Sequence, residues 1–425
     1  MTTSTLLPSP PAAQLAEASR SRFSAHIPEL DGIRGIAIGM VVFYHYIVLN
    51  IIPPRGSFLW YVLLPGHLGW AGVDLFFVLS GFLIGGILLD ARTASNYFRV
   101  FYTRRFFRIV PIYAVFLSCF FLLLLFNNTG HTSKLHWMTE GSLPWYSYVL
   151  FLQNFWMAFA NTGGPFATTI TWSLAVEEQF YLTLPFIIRF LSKKRLVQVL
   201  WEGLAAALVL RIALYCLWPN LNYSWFVLMP CRADALLFGV LAAVGLRETE
   251  WRNWLQRNRT LLRILLFLLA ASVCAFTRMY YAPYGFGIAS LGLTSIAAFS
   301  AVFIVYALVF PDSFLSGCLR WAWLRKLGGL AYGVYLFHQL VYLLIYSLLW
   351  SHSASLTAGY QVLLASLAFT ATLLICQLSW TFFEKPLVAI GHDSGYDFGG
   401  RLSEHIAAQQ SGSVFPVQGL KGAPR

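Results

Sequence analysis

Charge is what this chain has least of. Of 425 residues, 11% are Asp, Glu, Lys or Arg and 58% are hydrophobic, whereas soluble domains carry about 25% charged residues. That scarcity excludes a soluble globular protein, and a mean hydropathy of +0.66 points to a polytopic helical membrane protein. CxxC pairs and HxxxH or HExxH patterns are absent too. The six cysteines (Cys119, Cys216, Cys231, Cys274, Cys318, Cys376) are scattered, mostly in apolar runs, so they read as packing residues. Neither a disulfide framework nor a metal site is expected. Residues 1–26 are rich in Ser, Thr, Pro and Ala and have no apolar core before Phe23, which argues against a cleaved signal peptide. The net charge of +12 would suit nucleic acid, but Lys and Arg also collect in the cytoplasmic loops of membrane proteins. The bilayer is the expected partner, and no nucleic acid is.

What the chain does have is apolar runs of helix-spanning length. They fall at 33–52, 70–89, 111–127, 171–191, 197–216, 229–246, 261–281, 288–310, 327–350 and 359–383. The segment 145–160 is ambiguous. If it does not cross, 22 of the 29 Lys and Arg fall in cytoplasmic segments and only Arg55, Lys134 and Arg278 lie outside. This asymmetry predicts an all-α protein of about ten transmembrane helices, N-in and C-in, with 145–160 re-entrant or interfacial. A cytoplasmic, disordered tail (1–26), one membrane domain (27–387) and a flexible cytoplasmic tail (388–425) complete the expectation.

Charge inside such spans needs a reason. Arg34 and His45 lie eleven residues apart on the first, roughly 16 Å of rise and about three turns, so one helix face carries both. His45 is either a hydrogen-bonded packing residue or a proton acceptor whose pKa lies near working pH. Asp74, placed near the outer start of the second span, either caps that helix or orients His45. Arg104, Arg105 and Arg108, interleaved with aromatics, fit topology charges and equally a phosphate-rich nucleotide held by guanidinium forks.

Ser173, Glu177 and Tyr181 follow an i, i+4, i+8 line with Glu178 beside it. One of these carboxylates either pairs with Arg211 or Arg232 or serves a site. Arg232, Asp234 and His338 place further polar groups near span ends, where bonding between helices suffices to explain them. Gly35-x-x-x-Gly39 and Gly81-x-x-x-Gly85 read as close-packing faces, and Glu384-Lys385-Pro386 as the stop of the last span. A transporter or flippase would also account for intramembrane charge, but it predicts an internal repeat that the sequence does not show. A haem or metal redox protein would need facing histidines, and neither His45 nor His338 has a partner at ligand spacing.

The motif order resembles the membrane acyltransferase-3 family, bacterial O-acyltransferases of surface and secreted glycans. The matching stretches are Asp31-Gly32-Ile33-Arg34-Gly35 with His45 (an R-x10-H signature), Gly72-Val73-Asp74-Leu75-Phe76-Phe77-Val78-Leu79-Ser80-Gly81-Phe82 and Arg104-Arg105-x-x-Arg108-Ile109-x-Pro111. Trp172-Ser173-Leu174-x-x-Glu177-Glu178-x-Phe180-Tyr181, Tyr335-Leu336-x-His338 and Glu384-Lys385-Pro386 follow, so the likeness covers about residues 27–387. It implies a multi-pass inner-membrane enzyme taking an acyl group, acetyl by default, from cytoplasmic acyl-CoA to a sugar hydroxyl outside. His45 would be the catalytic base or acyl relay, with Arg34 at the donor or steadying the site. Arg104, Arg105 and Arg108 would hold CoA phosphates, and Glu177 and Glu178 would lie in the acceptor or proton path. Asp31, Asp74, Ser173, Tyr181, Arg232, Asp234 and His338 would support or bind substrate. Ala331 and Gly333 stand where the family usually has small polar residues. No SGNH hydrolase-like domain is apparent, so any extracytoplasmic partner is expected to be a separate chain.

Overall fold

A computed structural model describes residues 27–128, 136–141, 143–279, 285–349 and 358–398. The expected 1–26 tail and most of the expected 388–425 tail lie outside them. Every regular element among the described residues is helical. Nine helical stretches are long and apolar enough to cross a membrane. Helix Thr171–Phe190 is the tenth expected span; it has the length but carries Glu177, Glu178 and Arg189.

The elements used below are α1 (Pro28–Phe43, continued by a π turn, Tyr44–Val48), α2 (Phe58–Leu63, continued by a 3-10 stretch, Leu64–Ala71), α3 (Gly72–Asp90) and α4 (Tyr97–Asn128). Then come α5 (Trp145–Val149), α6 (Gln153–Ala160), α7 (Thr171–Phe190), α8 (Lys193–Leu217), α9 (Met229–Arg247), α10 (Arg259–Met279) and α11 (Leu293–Val309). The last are α12 (Ala322–Gly329), α13 (Ala331–Leu349), α14 (Ala358–Ser379, continued by a π turn, Trp380–Glu384) and α15 (Lys385–His392).

Three expectations about boundaries change. The third span does not begin after the basic cluster, near residue 111. The cluster lies inside α4, a 32-residue helix that starts at Tyr97 and absorbs Pro111. The second span begins not near residue 70 but at Phe58, and runs through 3-10 geometry to Asp90. Asp74 therefore sits well inside the span, against the middle of α1: a Cβ on neighbouring Gly72 would lie 3.0 Å from a Val41 methyl. The last span does not stop at Glu384, because helix continues to His392. Pro386 is at the start of α15, where its missing N–H costs little.

Small residues let the core helices approach. A Cβ on Gly81 of α3 would collide with the Leu236 carbonyl of α9, and one on Gly239 with the Val78 carbonyl of α3. Gly85 is held 3.2 Å from Val240 methyls by the same measure. Gly35 packs against Leu324 of α12. Gly39, expected to share that role, faces nothing within 4 Å.

Contacts between loops settle whether 145–160 crosses. Arg92 donates to the Leu191 carbonyl and Arg189 to the Arg92 carbonyl, so α4 leaves and α7 returns to the same end. Lys193 pairs with Glu248 and Arg247 with Asp90 at that end. Between α4 and α7 the described residues make only one turn of helix at His136–Thr139 and then α5 and α6, of five and eight residues, and eight residues span about 12 Å as helix. These turn polar Gln153 and Asn154 inward, to the Thr171 carbonyl at 2.8 Å and the Val227 carbonyl at 3.2 Å, and leave Phe155 and Phe159 exposed. The segment tucks in and goes back.

Candidate active site

The π turn at Tyr44–Val48 decides where His45 points. Its extra backbone residue closes with Leu49 N–H donating to the Tyr44 carbonyl at 3.0 Å, the local widening that often marks working sites in helices. His45 Nδ1 lies 3.0 Å from the Val41 carbonyl and 3.2 Å from His338 Nε2 of α13. His338 is fully buried, and its Nδ1 lies 2.8 Å from the Tyr335 carbonyl and 3.0 Å from the Val334 carbonyl.

These neighbours set the proton positions. Facing two carbonyls, His338 Nδ1 must be the N–H, which leaves its Nε2 as an acceptor. His45 Nδ1, between a carbonyl and that acceptor, must then be an N–H also. The lone pair of His45 is thereby placed on Nε2, the atom that can take a proton or attack a carbonyl. The facing histidines that the sequence did not show are present: they meet across 293 residues of chain. Tyr46 holds the His338 side in place, donating to the His338 carbonyl at 2.7 Å and stacking on Tyr342.

From the histidines a line of polar side chains leads to the basic end. Tyr335 bonds Ser173 and donates to the Ile170 carbonyl at 3.0 Å. Glu177 lies within electrostatic reach of Tyr335, Arg105 and Arg108, and accepts from Tyr181, which also bonds Ser80. Tyr332 lies within electrostatic reach of Glu177, Glu178 and Glu384, and its O–H donates to the Ile109 carbonyl at 3.2 Å. Arg108 lies within electrostatic reach of Arg34, Arg105 and Glu384. Arg34 closes the line, bound to Asp31 at 2.6 Å. Glu178 Oε1 is buried with no hydrogen-bond partner among the described residues. His45, Arg34, Arg108, Glu177, Tyr332 and Tyr335 lie deep among the helices and are only half-buried. The space these side chains border is called the passage.

Arg104 departs from its two neighbours. It donates to the Ser394 carbonyl at 2.9 Å, and its guanidinium lies 5.1 Å from the Tyr396 ring centre. It fastens the segment after α15 to α4, a strap also held by Ser95 and Asn96 through Asp397 and Gly395.

Three other expected site residues stay away from the imidazole. Asp74 neither caps nor orients His45; it pairs with Arg232 at 2.7 Å, where both side chains are at most 2% exposed. The Arg232 guanidinium is caged by Phe77, Trp172 and Phe226. Asp234 pairs with Arg211 at 2.8 Å, and Arg211 also donates to the Ala289 carbonyl and Thr294. So the arginines take Asp74 and Asp234, leaving Glu177 and Glu178 to the passage. No set of three or more His, Cys, Asp or Glu arranged for a metal ion occurs among the described residues.

Sequence reasoning passed over Ser80, Tyr332, Tyr335 and Glu384 as site groups. The signal for Tyr335 is helical spacing, since it lies three residues before His338 and meets Ser173 of α7.

A many-spanning helical bundle with a buried imidazole joined by polar side chains to internal arginines defines a polytopic membrane enzyme. A sequence model for an acyltransferase domain matches residues 27–381, and the chain belongs to that acyltransferase-3 family. It is 29% identical over 388 residues to the peptidoglycan O-acetyltransferase OatA of Listeria monocytogenes, covering 85% of this chain and 56% of that protein. A putative peptidoglycan O-acetyltransferase, YrhL of Bacillus subtilis, is 27% identical over 394 residues (88% and 57%). The O-acetyltransferase OatA of Staphylococcus aureus is 25% identical over 377 residues (85% and 57%). The chain thus spans a little over half the length of these relatives. No solved structure matches it significantly.

Proposed function

We propose that this membrane acyltransferase moves an acetyl group from cytoplasmic acetyl-CoA to a sugar hydroxyl of a glycan on the opposite side of the inner membrane. The observation that carries this reading is the polar line from Arg34, Arg105 and Arg108 to His45 Nε2. Its basic end offers forked donors to CoA phosphates. The eleven residues from Arg34 to His45 cover about 16 Å, a span for the flexible arm of the donor. Its other end presents a neutral imidazole.

The basic end faces the cytosol in this reading, which puts both termini there. With donor and acceptor both in place, His45 Nε2 takes the proton of the attacking hydroxyl. The sugar oxygen bonds the acetyl carbonyl carbon, the carbon–sulfur bond breaks, and CoA leaves as thiolate to be protonated. Glu177 and Glu178 return that proton along the passage. The peptidoglycan named for the relatives makes an amino-sugar polymer the first acceptor to try, and any separate extracytoplasmic chain would act after this transfer.

The test is purified protein with radiolabelled acetyl-CoA and soluble peptidoglycan fragments. Free CoA and ester-linked label on the fragments, removable by mild base, are expected. A transporter would leave the thioester intact; intact acetyl-CoA with unlabelled fragments contradicts the proposal.

A further inference from the structure

Immediately past the π turn that carries His45, the chain Asn50–Leu59 and the start of α14 line an open cavity of about 540 Å³. Ligand pockets of roughly 300–1,000 Å³ are usual. Its polar lining is Asn50, Ser57 and Gln361, and its apolar wall includes Pro53, Pro54 and Leu59; among the described residues no lining side chain is charged. We propose that this cavity is a subsite for a neutral sugar ring of the acceptor, an inference that rests on the glycan reading above.

Position is the first argument. Asn50 Nδ2 donates to the carbonyl of His45 itself at 2.7 Å and to that of Tyr46 at 3.3 Å. The cavity wall is therefore fastened to the catalytic turn, with Asn50 five residues or about 7.5 Å of helical rise further along the chain than His45. It lies beyond the turn, on the side away from Arg34.

Chemistry is the second. With its amide N–H committed, Asn50 offers Oδ1 as an acceptor. Ser57 Oγ accepts from Trp60 N–H at 3.2 Å and keeps its own O–H to donate. Gln361 supplies one group of each kind. Hydroxyls both give and take hydrogen bonds, and the C–H face of a pyranose packs on flat apolar surface such as Pro53 and Pro54. Among the described lining side chains a phosphate or carboxylate would meet no cation. The cavity and the basic end of the polar line thus differ in the way two substrates would require: guanidinium groups for an anionic donor, neutral amides and a hydroxyl for an uncharged acceptor.

The test uses full-length protein, a soluble N-acetylglucosamine oligosaccharide and two variants, Gln361→Ala and Gln361→Trp, the second filling the cavity. In turnover the oligosaccharide KM rises about five- to tenfold for Gln361→Ala, the worth of one hydrogen bond, and more for Gln361→Trp, while the acetyl-CoA KM stays put. Equilibrium binding of the oligosaccharide, read by tryptophan fluorescence without donor, weakens in parallel. Binding loss without any turnover in the wild type would support the subsite and sink the acetyl-transfer reading. Equal oligosaccharide binding by wild type and both variants overturns the subsite even where transfer proceeds. So does displacement of the sugar by phospholipid vesicles, which would make the cavity a lipid seat.

Discussion

His338 Nε2 stands 3.2 Å from His45 Nδ1, and the opposite nitrogen of His338 faces two backbone carbonyls. A ring held that way acts on catalysis through its neighbour: it fixes which nitrogen of His45 is bare. Loss of such an orienting partner costs about 10- to 100-fold. His338→Ala is expected to lower kcat by that order with both KM values little changed. His338→Gln, whose Oε1 can still accept from His45 Nδ1, recovers part of the loss. Kinetics in which Gln and Ala variants fall equally would reduce His338 to a packing residue.

The arginines of α4 separate by role. Arg105 and Arg108 adjoin the passage, and removing a charge-assisted contact of about 1.5–3 kcal/mol raises KM for acetyl-CoA by roughly 10- to 150-fold. Arg104 is engaged by Ser394 and Tyr396. Arg104→Ala is expected to raise that KM far less and to expose residues 393–398 to limited proteolysis. Donor titrations and a protease time course on the three single variants distinguish the two behaviours.

Helix contact at Gly81 and Gly239 leaves no room for a side chain. Overpacking costs about 1–3 kcal/mol or more where backbone must move. Gly239→Leu should lose the monodisperse peak in size-exclusion chromatography, whereas Gly39→Ala, which meets nothing within 4 Å, should keep it.

The Asp74–Arg232 pair predicts a thermodynamic signature. Breaking a buried ion pair from one side costs about 3–5 kcal/mol, while replacing both partners with apolar groups is often neutral. Arg232→Met alone should lower the melting temperature of the purified protein. Asp74→Leu combined with Arg232→Met should restore most of it; a double variant no better than the single one contradicts the pairing.

Much of this was legible in the chain because a bilayer imposes length and apolarity on each span separately, so runs such as 288–310 read directly. The site was legible where chemistry is concentrated along one helix, as at Arg34 with His45 or Glu177 with Tyr181. What did not show was pairing between distant segments. Nothing in local periodicity ties His338 to His45, or decides that Asp74 and Asp234 go to the arginines while Glu177 stays with the passage. The π turn was hidden for a different reason: one added backbone residue leaves the apolar pattern of 33–52 unchanged.

The most direct test of the account is acetyl transfer by His45→Ala and His45→Gln proteins that retain wild-type melting temperature and acetyl-CoA affinity. General-base chemistry is worth about 10²- to 10⁴-fold, and a loss of transfer of at least that order is expected in both. Transfer at the wild-type rate by either variant would contradict it.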